Sequence, residues 1–178
     1  MLLKMMTAVL GLGIASGVSA TLIDRGNGLI YDNVLDITWL QDANYAGPSG
    51  TEPDGWMNWF DATSYASSFS FAGYDDWRLP TMDVNGDGTI HGGFIQSTSG
   101  ISVCGNEGLC RDNELAYMYY WNLSSLVGSP TPNFTDLTGD TFPFENVQSA
   151  YWSSTSYGGN PSFAYQIGFK SGFVDGDD

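Results

Sequence analysis

Hydrophobic positions follow two different periods along this chain. From Gly28 to Leu40, β-branched and aromatic residues form two runs around the polar pair Asp32-Asn33, which predicts a strand, a turn and a second strand. The polar stretch Gln41 to Ala46 leads into Gly47 to Gly55, where two prolines and three glycines predict a loop. The period then lengthens. Trp59, Ala62, Ala66 and Phe69 fall near one face of a helix predicted from Asn58 to Phe69, with Asn58 as cap and Asp61 in capping-box position. Helical spacing alone accounts for that aromatic stripe, so it reads as core rather than as a sugar-stacking platform.

Next comes Ala72-Gly73-Tyr74-Asp75-Asp76-Trp77-Arg78-Leu79-Pro80-Thr81. Gly73 is the expected left-handed residue that stops the helix, and Trp77, Leu79 and Pro80 alternate with polar positions as an extended segment. Arg78 stands between apolar residues and close to Asp75 and Asp76, so it is expected in an ion pair rather than displayed to a ligand. A second helix is predicted from Asp112 to Leu123, with Asp112 or Asn113 as cap and Leu115, Met118 and Tyr119 on one side. Ser124 to Val147, with Pro130, Pro132 and Pro143, is irregular. Two further strands are predicted at Ala150 to Thr155 and Ser162 to Phe169, joined through Gly158-Gly159-Asn160-Pro161.

Residues 1–20 change the picture, because Lys4, the apolar run Ala8 to Ala15 and the small-residue site Val18-Ser19-Ala20 have the form of a secretory leader. The expected mature chain is 21–178, a single exported domain, periplasmic or at the cell surface, with no stretch long enough to span a bilayer. It carries four basic against 20 acidic residues, a net charge of −16. That balance excludes nucleic acid as a natural partner, since its affinity comes from Lys and Arg neutralising phosphates, and it disfavours anionic membranes. It invites divalent cations. With 42% hydrophobic and 15% aromatic residues the chain is nevertheless not disordered in composition.

Within the Gly-, Ser- and Asp-rich stretch Met82 to Cys110 lies the one metal-like motif, Asp83-Val84-Asn85-Gly86-Asp87-Gly88-Thr89. Side-chain oxygens at the first, third and fifth positions followed by glycine match the opening of a calcium loop, with the Thr89 carbonyl as a further ligand. Phe94 stands where a calcium loop would carry its bidentate Glu, so a remaining ligand must come from elsewhere, with Glu107, Asp112 and Glu114 as candidates. The other reading is a polar double turn built on Asn-Gly and Asp-Gly. Both stand at this point. Cys104 and Cys110 enclose a short glycine-flanked loop, which in an exported chain reads as a local disulfide. A reactive or metal-binding thiol pair lacks the usual two-residue spacing and any nearby second Cys or His set.

The decapeptide, together with Leu35 to Ala46, the helix opening at Trp59, Asn113-Glu114-Leu115 and Tyr151-Trp152-Ser153-Ser154-Thr155, resembles the C-terminal domain family of the Legionella collagen-like protein. The resemblance covers about Gly28 to Lys170. It implies an α+β, C-type-lectin-like fold, two helices packed on small antiparallel sheets with long loops, in exported proteins that act in adhesion rather than catalysis. In that motif Trp77, Arg78, Leu79, Pro80 and Thr81 are structural. Sulfated-polysaccharide binding, also implied, conflicts with the chain's negative charge. The resemblance further implies one more strand after Val174-Asp175-Gly176-Asp177-Asp178, which reads as a turn. Its loss is expected to leave an edge at Leu29 to Tyr31 or Ile37 to Leu40, so that either the chain is truncated and marginally stable or another copy covers the edge by strand addition.

Catalytic patterns are thin. His91 is the only histidine and is expected to face solvent, no nucleophile elbow or phosphate loop is present, and Asp75 and Asp76 point to opposite faces of an extended strand. The expected function is therefore an exported non-catalytic module binding an extracellular glycan or protein, or a copy of itself. The alternative is a structural subunit of a calcium-stabilised surface assembly, with an enzyme behind both.

Overall fold

A computed structural model describes residues 4–6, 22–47, 54–92, 94–95, 106–123, 143–169 and 171–177. Among these residues, nine strands and three short α-helices make a mixed α+β fold with two small, mainly antiparallel sheets. The first sheet contains β1 (Lys4–Met6), β2 (Leu22–Gly26), β3 (Leu29–Asp32), β4 (Ile37–Leu40) and β5 (Trp77–Arg78), in the order β2-β3-β4-β1-β5. The second contains β6 (Phe94–Ile95), β7 (Ala150–Ser156), β8 (Ala164–Gly168) and β9 (Phe173–Asp177), in the order β6-β9-β8-β7, with β6 parallel to β9. Among the described residues no helix is long and apolar enough to cross a membrane.

The first sheet is covered on both faces, which explains why its strands read as continuous apolar runs. Neighbouring residues point to opposite sides of a strand. Ile30, Ile37 and Trp39 accordingly join the core that holds Leu115, Met118, Tyr151 and Ile167. Leu29 and Leu40 join a second cluster with Ala62, Ala66, Phe69, Trp77 and Leu79. Helix α1 (Trp59–Ser68) lies over that second cluster. Its cap is as expected: the Asn58 Oδ1 accepts the Asp61 N–H at 3.0 Å, while the Asn58 amide donates to the Asp61 carboxylate at 2.7 Å.

The helix ends earlier than Gly73. Phe69 is already extended, at φ −78° and ψ 134°. Gly73, at φ 86°, instead makes a tight turn with Ala72, across which Phe71 and Tyr74 exchange backbone hydrogen bonds. Turn chemistry rather than helix capping is what that glycine supplies.

The second predicted helix is α3 (Glu114–Tyr117), continued by a π-helical turn, Met118–Leu123. It is preceded by α2 (Glu107–Cys110), a single turn inside the stretch read as loop. Asn113 is the cap of α3, accepting from the Ala116 N–H at 3.0 Å. Glu114 to Tyr119 are buried on every side, so this helix is an axis of the core rather than an amphipathic face.

At the C-terminal end, Phe173–Asp177 is a strand and not a turn, paired with β8 throughout. Of the edges expected to be bare, β3 lies between β2 and β4, while β4 pairs on its other side with Lys4–Met6, a strand that belongs to the expected leader. The rest of the expected leader lies outside the described residues, apart from that strand.

A candidate metal centre beside helix α3

The acidic loop is anchored before it begins. Arg78, at the end of β5, grips the buried Glu114 in two places, Nη1 to Oε2 at 3.2 Å and Nη2 to Oε1 at 3.0 Å. The ion pair expected for Arg78 is present, but its partner is Glu114 of α3 and not the exposed Asp75 or Asp76. Glu114 also accepts the Thr81 N–H at 2.8 Å and donates its own N–H to the Thr81 carbonyl at 3.0 Å. From β7, Thr155 Oγ1 accepts the Met82 N–H at 2.9 Å. Leu79, Pro80 and Met82 are buried, so the segment from Trp77 to Met82 is held against the core just before Asp83.

The loop then closes on its own side chains. Asp83 accepts the Asp87 N–H at 3.1 Å on one oxygen and the Gly88 N–H at 2.9 Å on the other. Asn85 Oδ1 also accepts the Asp87 N–H at 2.8 Å, and Asp87 Oδ1 accepts the Thr89 N–H at 2.7 Å. These bonds hold the Asp87 carboxyl below the usual carboxylate range, with the Thr89 N–H the main cause. Asp83, Asn85 and Asp87 thus close the loop as successive side-chain-to-backbone turns, and each side-chain oxygen can accept a further bond.

Of the three acidic residues that could complete the loop, Asp112 alone reaches it. Glu107 is taken by Arg111, at 2.7 Å, and by the Tyr117 hydroxyl, at 3.0 Å. Glu114 is taken by Arg78 and Thr81. Asp112 stands between α2 and α3, accepts the Val84 N–H on its carbonyl at 2.9 Å and the Asn85 N–H on Oδ1 at 2.8 Å. Its side chain is only 9% exposed, and its Oδ2 is buried without a hydrogen-bond partner among the described residues. Ligand atoms of Asp87, His91 and Asp112 lie within 4.8 Å of one another.

His91 does not face open solvent as expected. Its ring is 27% exposed and its Nε2 is 3.9 Å from Asp112 Oδ2. The sequence offered one signal for this, a lone histidine close behind Asp87, which carries no weight until Asp112 is brought across from another part of the chain. Thr89 is exposed at the loop's end and Asn85 at its tip.

Cys110, at the end of α2, is buried, and no free cysteine occurs among the described residues. Cys104 lies outside them.

No protein-family model, curated protein or solved structure matches the chain.

Proposed function

We propose that this chain is an exported, non-catalytic binding module of C-type-lectin-like fold, whose acidic loop holds a calcium ion and whose ligand is an extracellular carbohydrate or matrix component. Asp112 Oδ2 carries the metal part of this reading. A buried carboxylate oxygen without a donor costs free energy unless something positive faces it, and Asp87 of the loop brings a carboxylate oxygen to within 4.8 Å of the Asp112 carboxylate. Asp83, Asn85, Asp87, the Thr89 carbonyl and Asp112 form an oxygen-rich set, the donor chemistry that hard cations prefer. Such an ion would tie the loop to α3 and so stiffen one end of the domain. The two small sheets with few helices support the fold assignment, and the acidic surface favours a neutral or cationic ligand over a polyanion.

Thermal unfolding with calcium and with a chelator tests the metal. An ion that binds the folded state alone, at about 100 times its dissociation constant, adds about 2.7 kcal/mol, which raises the melting temperature by about 5–10 °C. Asp112→Ala should remove that rise. If zinc and not calcium raises the melting temperature, and His91→Ala abolishes the effect, the site is a transition-metal site of Asp87, His91 and Asp112, and the calcium reading fails. A glycan array probed with calcium present tests the binding role.

A further inference from the structure

Away from the acidic loop, the segment before α1 and the start of β7 enclose a cleft of about 240 Å³. Its walls include Trp56, Met57, Asn58, Gln148, Trp152 and Gln166, and among the described residues no charged one lines it. In a chain of net charge −15 a neutral lining of this size is a chemical selection. The cleft is smaller than the range of about 300–1,000 Å³ typical of ligand sites, a size suited to one small ring.

The walls are held from several directions. Trp152 donates its indole N–H to the Met57 carbonyl at 2.9 Å, tying β7 to the segment that carries Trp56. Trp59 donates to the Ser153 carbonyl at 2.9 Å and fixes α1 to the same strand. Gly55 has φ +76°, and a Cβ there would run into the Asn44 side-chain amide, so the backbone leading into Trp56 takes a course that favours glycine. At the end of this fixed path Trp56 is 61% exposed, and Phe60 on the first turn of α1 is 57% exposed. A large indole left in water beside a preformed cleft is a ligand-facing feature rather than a core one.

We propose that this cleft binds one ring of a neutral saccharide, with an indole face against the apolar C–H face of the sugar and the amide groups of Gln148 and Gln166 at its hydroxyls. Aromatic surface with a few amide donors and acceptors, and no ionised group, matches a ring that is apolar on its faces and polar at its rim. The surrounding negative charge repels sulfated and uronic acid sugars. This site rests on the binding-module reading and supplies its ligand class, but shares no residue with the metal centre.

The test is a titration followed by NMR at the indole N–H signals of the calcium-loaded full chain. The probes are cellohexaose, fully N-acetylated chitohexaose, its deacetylated cationic counterpart and a heparin hexasaccharide. The inference predicts saturable shifts of the Trp56 and Trp152 indole signals with at least one neutral probe and none with heparin. Trp56→Ala should weaken that binding by about tenfold or more. Phe163→Ala, which removes another exposed aromatic outside the cleft, should leave it unchanged. Silence with both neutral probes, equal binding by Trp56→Ala, or a preference for a charged probe overturns the inference. A calcium-dependent melting temperature with silent indoles leaves the metal centre standing, whereas shifted indoles without any calcium effect leave only the saccharide site.

Discussion

Arg78 and Glu114 lie 36 positions apart in sequence and meet as a two-pronged ion pair, with the carboxylate 3% exposed and the guanidinium 35% exposed. Through Thr81, which bonds the same carboxylate and the same helix turn, this pair sets where the acidic loop starts. Glu114→Ala strands the cation beside a vacated site and frees the Thr81 N–H. Because Arg78 keeps part of its hydration, the expected loss of stability is about 2–3 kcal/mol, below the range for a fully buried pair. Chemical denaturation of Glu114→Ala against Arg78→Lys checks this. The lysine variant should lose less, since it keeps the charge while giving up the fork.

Asp32 gives the chain a pH dependence of unusual sign for a carboxylate. Burial raises its pKa above the ordinary 3.8, against the hydrogen bonds that lower it, which come from Leu35, Asn122 and Val34. The folded state therefore binds more protons than the unfolded one, and this residue's contribution to stability falls as pH rises from about the unfolded value through the folded one. Asp32→Asn should flatten that fall and be neutral or stabilising at pH about 7. The amide of Asn122, whose Nδ2 now donates to Asp32 at 2.6 Å and whose Oδ1 has no partner among the described residues, can turn over to accept from the new amide. Urea unfolding of both proteins between mildly acidic and neutral pH decides it; a parallel pH dependence in the two would contradict the assignment.

Cys104 and Cys110 are predicted to be joined by a disulfide. Alkylation under denaturing conditions followed by intact-mass measurement should add no label before reduction and two after it. Two labels before reduction would contradict the pairing and reopen a role for reactive thiols.

What could be read in advance was local. The Asn58 cap, α1 and its buried Ala62 and Ala66, the hairpin around Asp32 and the acidic loop are each set by residues within a few positions of one another. Glu114 and Asp112 show where that stops. All three acidic candidates for completing the loop lie within one short stretch, and the choice among them depends on Arg78 and Arg111, which remove Glu114 and Glu107 by pairing with them. No spacing rule encodes that competition. The π-helical turn at Met118–Leu123 has the same origin: its bulky residues are placed by tertiary contacts, Tyr119 against Phe169 and the Tyr120 hydroxyl donating to the Gly172 carbonyl, rather than by helical period. Lys4–Met6 entered the sheet beside β4 although its composition reads as the start of a leader, because the strand edge it meets selects backbone groups and not side chains.

Calorimetric titration of calcium into the chelator-stripped chain tests the metal centre most directly. One ion per chain is predicted for the wild type and for Asp54→Asn, an exposed carboxylate outside the loop. Asp112→Asn and Asp87→Ala should lose the binding heat while keeping the far-ultraviolet circular dichroism of the folded chain. Equal affinity in the wild type and Asp112→Asn, or no heat at millimolar calcium, would contradict the account and leave the loop as a double turn closed by its own side chains.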